Sequence, residues 1–225
     1  MNIDNIKNTL LTKSAVKQQV YANTLKQFVR LKQHAMRIAN TLAREIEPLN
    51  AHVKVAFFDK GEFEFHLKFS GDTLVFMMHT NVFSFDPTHY VFETQYMEAD
   101  ENRKYCGMIQ VYNFLSDSLK YNRENDIGYL ITRLFINAEN HFIAEGKRSL
   151  ALKYSNIDCC QINDDTLNDV ILEAMEYCMG FDLIVPPVNM VSILTVEQKN
   201  QMNYSGGMPT GKRMGFIMHT ENDIE

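Results

Sequence analysis

The chain has 225 residues, 45% of them hydrophobic and 22% charged, a globular balance that excludes wholesale disorder because enough apolar surface is available to offset backbone ordering entropy. Its formal charge of -6 repels a polyanion unless basic residues cluster, so nucleic acid is not the expected partner. Met1 to Asn5 is neither basic nor apolar, and no apolar run approaches the ~20 residues that span a bilayer, so the expectation is a soluble cytoplasmic protein with no membrane partner.

From Lys7 to Ile46 there is no Gly or Pro, and Pro48 closes the stretch, which predicts a long N-terminal helix with at most one break. Tyr21, Leu25, Phe28, Lys32, Ala35, Ala39, Leu42 and Ile46 recur in steps of four and three, flanked by Val29, Leu31, Met36 and Ile38. Such a helix extends roughly 60 Å at ~1.5 Å per residue, more than one small sheet covers. A homodimer formed through this helix is therefore expected, with Leu25, Phe28 and Leu42 in the interface. The basic residues Lys13, Lys17, Lys26, Arg30, Lys32, Arg37 and Arg44 are spread around the cylinder, which is the pattern of a solvated face.

After Pro48 the period changes to two. Phe63, Phe65, Leu67 and Phe69 alternate with Glu62, Glu64, His66 and Lys68, the mark of a half-buried strand. Short links at Asp59-Lys60-Gly61 and Ser70-Gly71-Asp72 join it to Val53–Phe58 and Thr73–His79 as a meander. Val82–Phe85, Tyr90–Thr94, Tyr105–Leu115 and Ile127–Ile136 are rich in aromatic and β-branched residues and are read as further strands. A turn at Asn137 to Asn140 folds His141–Gly146 back and sets Phe135 opposite Phe142.

Asp164 or Asp165 as N-cap, the stripe Leu167, Val170, Ile171, Ala174, Met175 and Cys178, and Gly180 as terminator predict a second helix. Val188–Val196 is apolar but ambiguous between strand and helix, and the composition from Gln198 onward is that of a flexible tail. The expected fold is α+β: a long N-terminal helix, an antiparallel meander of six or more strands, and a second helix on one sheet face. The divisions are a helical arm (1–48), an α+β domain (49–197) and a tail (198–225).

Chemistry-bearing patterns are sparse. Glu145-Gly146-Lys147 at a strand end matches the Glu-x-Lys element of the PD-(D/E)xK nucleases, in which the carboxylate holds Mg²⁺ and the amine steadies the attacking water. In the inferred register Glu145 lies opposite Thr132, and Asp126 is on the order of 20 Å away along the neighbouring strand. No second carboxylate comes close enough to share an ion. His66 and His79 are the histidines that a sheet face could bring together as a divalent site beside Glu62 and Glu64. Cys106, Cys159, Cys160 and Cys178 lack C-x-x-C spacing and are expected to be free thiols, and no cofactor is predicted. The leading functional reading is a non-enzymatic binding or assembly module, homodimeric, with a protein partner. The alternatives are a metal-dependent, nuclease-like hydrolase using Glu145 and Lys147, and a small-ligand carrier with an apolar pocket between sheet and helix.

Overall fold

The computed structural model describes residues 2–185, 188, 192–197, 199 and 200. The stretch Val188 to Val196 is only partly among them, and the tail beyond Gln198 lies outside them apart from 199 and 200. The chain opens with helix α1 (Ile3–Thr9), started by the Asn2 side chain accepting from the Asp4 N–H at 3.2 Å. One π-helical stretch, Leu10–Ser14, leads without interruption into α2 (Ala15–Ile46). No residue of α1 or of the π-helical stretch is buried.

Seven strands follow: β1 (Val55–Asp59), β2 (Glu64–Phe69), β3 (Asp72–Met78), β4 (Phe83–Ser84), β5 (Tyr105–Leu115), β6 (Tyr129–Ile136) and β7 (Phe142–Gly146). All pairings are antiparallel, in the order β1-β2-β3-β5-β6-β7, with β4 pairing the start of β5. The two-residue period does what it predicts: Phe65, Leu67 and Phe69 are buried toward the helices, while Glu64, His66 and Lys68 face the other way. Phe65 stacks on Phe76 at 4.4 Å and meets Phe28 of α2 at 5.4 Å. Each such ring contributes about 2 to 3 kcal/mol through removal of its surface from water.

The steps of four and three along α2 therefore cover this chain's own sheet. Phe28, Leu31, Ala35 and Ala39 are buried in the core, and Leu25 and Leu42 pack against it. This differs from the expectation that Leu25, Phe28 and Leu42 face a second copy: the helix runs over the sheet from β5, where Thr24 meets Gly107, to β1, where Lys32 meets Asp59, and its apolar seam is used on the way. Short helices α3 (Gln95–Ala99), α4 (Ser116–Lys120) and α5 (Arg148–Lys153) come between α2 and α6 (Asp164–Met179), which packs beside α2 through Leu167, Val170, Ile171 and Ala174. Its N-cap is Asn163 rather than Asp164 or Asp165. Asn163 accepts from the Thr166 N–H at 2.9 Å and Thr166 Oγ1 accepts in return from the Asn163 N–H at 2.8 Å, which leaves the two aspartates to complement the helix dipole.

A polar ladder on one flank of α2 ties these elements together. Asn23 donates to the Asn137 carbonyl at 2.7 Å, Gln27 to Asn140 at 2.6 Å, and Arg30 to Asp164 at 2.7 Å. Buried His34 lies 3.0 Å from the same Asp164 and 2.7 Å from Asn168.

Two local expectations are corrected. Tyr90–Glu93 is a 3-10 turn and not a strand, because His89 and Thr94 side chains accept from the N–H groups of Val91 and Met97 and so start helical turns. In the β6–β7 hairpin Ile136 faces Phe142 and Phe135 faces Ile143, one residue away from the inferred register. The loop has five residues because Asn137 Oδ1 accepts from the N–H groups of both Glu139 and His141, drawing His141 into the turn.

Candidate functional site: the uncovered sheet face

The helices seal one face of the sheet. On the other face, β2, β3, β5, β6 and β7 place Glu64, Met77, Gln110, Arg133 and Glu145 in one row through their direct pairings. A parallel row holds His66, Val75, Tyr112 and Leu130. One end of this face is closed by the segment between β4 and β5, whose Val91 and Met97 join Met108, Phe135 and Ile143 in a second small core. The rest is uncovered, with Met77, Gln110, Tyr112 and Leu130 half-buried.

Glu145 is the charged centre of the face. Its Oε2 accepts from Arg133 Nε at 2.8 Å and lies 2.6 Å from Nη2, and its Oε1 lies 3.0 Å from His89 Nε2. The second His89 nitrogen, Nδ1, accepts from the Val91 N–H at 3.3 Å. That contact places the ring proton on Nε2, from which it is donated to Glu145. His89 is held flat against Phe85, with ring centroids 4.6 Å apart. Burial, and then the Glu145 charge, raise the neighbouring Tyr90 hydroxyl above its usual range. The cluster is charge-balanced and saturated: both carboxylate oxygens and both imidazole nitrogens are engaged.

The sequence candidates separate in this geometry. Gly146 ends β7 with φ +143°, a conformation that L side chains rarely adopt. The chain turns there, and Lys147 lies with its Nζ 5.9 Å from the Tyr177 ring of α6, on the helix side of the sheet. Glu145 and Lys147 thus do not share a face, and Glu145 lies opposite Arg133 rather than Thr132. His66 is held by Glu64 at 2.7 Å. His79 stands four residues past Val75, the partner of His66, so roughly 13 Å separates them along the strand direction. His79 instead packs edge-on against Phe83 at 4.8 Å and accepts from the Asn81 N–H. Among the described residues, no group of three or more His, Cys, Asp or Glu side chains converges in a way that could hold a metal ion.

Surface clefts flank α2. One, of about 810 Å³, lies beside Arg37, Asn40, Arg44 and Glu47, and another, of about 610 Å³, lies beside Lys17, Tyr21 and Phe83. Both are rimmed by polar groups, unlike the apolar pocket between sheet and α6 that a carrier requires. Cysteines 106, 159 and 160 are free thiols, and Cys106, Cys160 and Cys178 are buried; burial pushes Cys106 up to about 12.

Reading the sequence for motifs missed Arg133 and His89. Arg133 carried one usable signal, as the single charge within an otherwise apolar and hydroxyl strand. His89 carried none, since it reaches Glu145 across 56 positions of chain. The chain matches no known family model, no curated protein and no solved structure.

Proposed function

We propose that the chain is a non-enzymatic, cytoplasmic binding or assembly module whose partner is a protein seated on the uncovered sheet face. The observation that carries this reading is the asymmetry of the sheet: one face is sealed by two helices, while the other leaves Met77, Tyr112 and Leu130 half-buried around charges that are already paired. Half-buried apolar and aromatic groups favour a proteinaceous contact, which gains from desolvating them. Covering Arg133 and Glu145 costs desolvation, but less than covering either charge alone, since each keeps its partner. The net charge of -6 and the carboxylates at both ends of the row disfavour a polyanion. The unbridged thiols of Cys106, Cys159 and Cys160 accord with a reducing compartment.

A photo-crosslinking side chain at Tyr112, in the protein expressed in its own cells, is expected to trap a protein partner. The same group at exposed Leu152 is expected to trap none. Equal trapping at the two positions would reject the reading. So would purified protein that carries stoichiometric divalent metal and hydrolyses nucleic acid until Glu145→Gln is introduced.

A further inference from the structure

The two edges of the sheet are treated differently. At β7 the outward N–H groups of Phe142 and Ala144 donate to the carbonyls of Cys160 (3.0 Å) and Tyr154 (2.9 Å), and His141 forms a bridge with Gln161, so the chain covers that edge itself. At β1 nothing corresponding occurs among the described residues. The Lys54 carbonyl and the Lys60 N–H bond toward the β2 side, to Ser70 and Glu64. By alternation Ala56 and Phe58 also bond toward β2, and the N–H and C=O groups of Val55, Phe57 and Asp59 point away from the sheet. The strand Val-Ala-Phe-Phe-Asp has no proline and no bulge, two of the devices that normally blunt an edge; its one charge, Asp59, lies on the helix side of the sheet, where Lys32 neutralises it.

The helix above this edge is equally one-sided. The α6 flank of α2 is filled through Gln27, Arg30 and His34. On the opposite flank Lys32 reaches down to Asp59 at 2.8 Å and to the Gly61 carbonyl, which fixes that side of the helix as the β1 side. Val29 and Met36 stand three positions before and four positions after Lys32, hence on the same side. Each is 44% exposed, and on the other side of the sheet Phe58, the partner of His66, is 45% exposed at the same edge.

We propose that β1 pairs antiparallel with β1 of a second copy of this chain, so that two sheets join into one and two α2 helices meet through Val29 and Met36. The edge is self-complementary. In a two-fold arrangement centred on Phe57, each outward residue meets an outward residue: Val55 of one copy faces Asp59 of the other, and Phe57 faces Phe57. Ala56 then faces Phe58 of the other copy, and the small methyl leaves room to cover the exposed ring. In this register Lys60 of one copy falls opposite Lys54 of the other, a like-charge pair that is offset by Glu47, which already holds Lys54 at 3.0 Å. A stable interface covers roughly 800 Å² on each partner. A five-residue edge alone falls short of that, and the adjoining helix flank supplies the remainder. Ala56 and Phe58 border the uncovered sheet face, since Phe58 extends the row of His66, Val75 and Tyr112, whereas Val29 and Met36 lie on the helix side, so substituting that flank tests this proposal without touching the site of the proposed function.

The full chain is expected to sediment as a dimer at micromolar concentration. Val29→Glu with Met36→Glu, two solvent-exposed positions, is expected to yield monomers that keep the native far-UV circular dichroism spectrum and a cooperative melt, whereas Tyr112→Ala is expected to leave the dimer intact. Ala56→Cys with Phe58→Cys, in a Cys159→Ser background, is expected to give a disulfide-linked dimer on oxidation, because these positions of opposed copies form a non-hydrogen-bonded pair with Cα atoms ~4.5 Å apart. A monomeric native chain, a dimer that survives the double glutamate substitution, or a dimer that gives no cross-link would each overturn the proposal.

Discussion

Glu145 shows how a residue's role follows from which groups the fold brings to it. Arg133 and His89 occupy both of its oxygens, so the carboxylate serves as a fixed, neutralised element of the sheet face and not as an open ligand. The Arg133 and Glu145 side chains are 44% and 24% exposed, so water screens the pair. A double-mutant cycle on Arg133→Met and Glu145→Gln is expected to give a coupling below ~1 kcal/mol that declines with added salt. A coupling of several kcal/mol, insensitive to salt, would mean that the face is covered and the pair buried.

Among the elements, α2 depends on how closely it seats on β5. Gly107 is the residue beneath it: a Cβ there would fall within the side chain of Thr24, which is fully buried and bonded to the Val20 carbonyl at 2.8 Å. Backbone and side chain of two elements therefore meet where only a hydrogen fits. Gly107→Ala is expected to lower stability by about 1 to 3 kcal/mol through overpacking, and Thr24→Ala added to it is expected to restore part of the loss. Identical urea midpoints for Gly107→Ala and the native chain would show that the helix does not lie on β5 at this position.

For the molecule as a whole, Asp164 joins α2 to α6. The Arg30 guanidinium, and after it His34, hold its carboxyl below the usual carboxylate range. A carboxylate depressed in the folded state stabilises that state above its unfolded value, near ~3.9, and the contribution disappears as pH falls through the folded value. Asp164→Asn is expected to be less stable than the native chain at neutral pH and to converge with it in strong acid. The side chain is 69% exposed, so the difference is small and best read from paired melting curves. A gap that widens toward low pH would reverse the sign and reject the assignment.

What the sequence by itself determined is the set of properties that repeat locally. The change of period from 3.6 to two after Pro48 marks where helix gives way to sheet, Phe65, Leu67 and Phe69 name their own buried side, and the stripe from Leu167 to Cys178 with Gly180 behind it defines α6, because each of these depends only on residues a few positions apart. Tertiary structure decided the rest. Whether the apolar seam of α2 covered its own sheet depended on the helix being laid across it from β5 to β1. The register of β6 against β7 depended on Asn137 capturing two N–H groups of the loop. The separation of Glu145 from Lys147 depended on one glycine's positive φ, and the meeting of Glu145 with Arg133 and His89 depended on pairings between distant segments. Periodicity specifies which face a side chain takes, but contacts across a sheet are specified by register, and register is set by loop hydrogen bonds and long-range packing that no local pattern encodes.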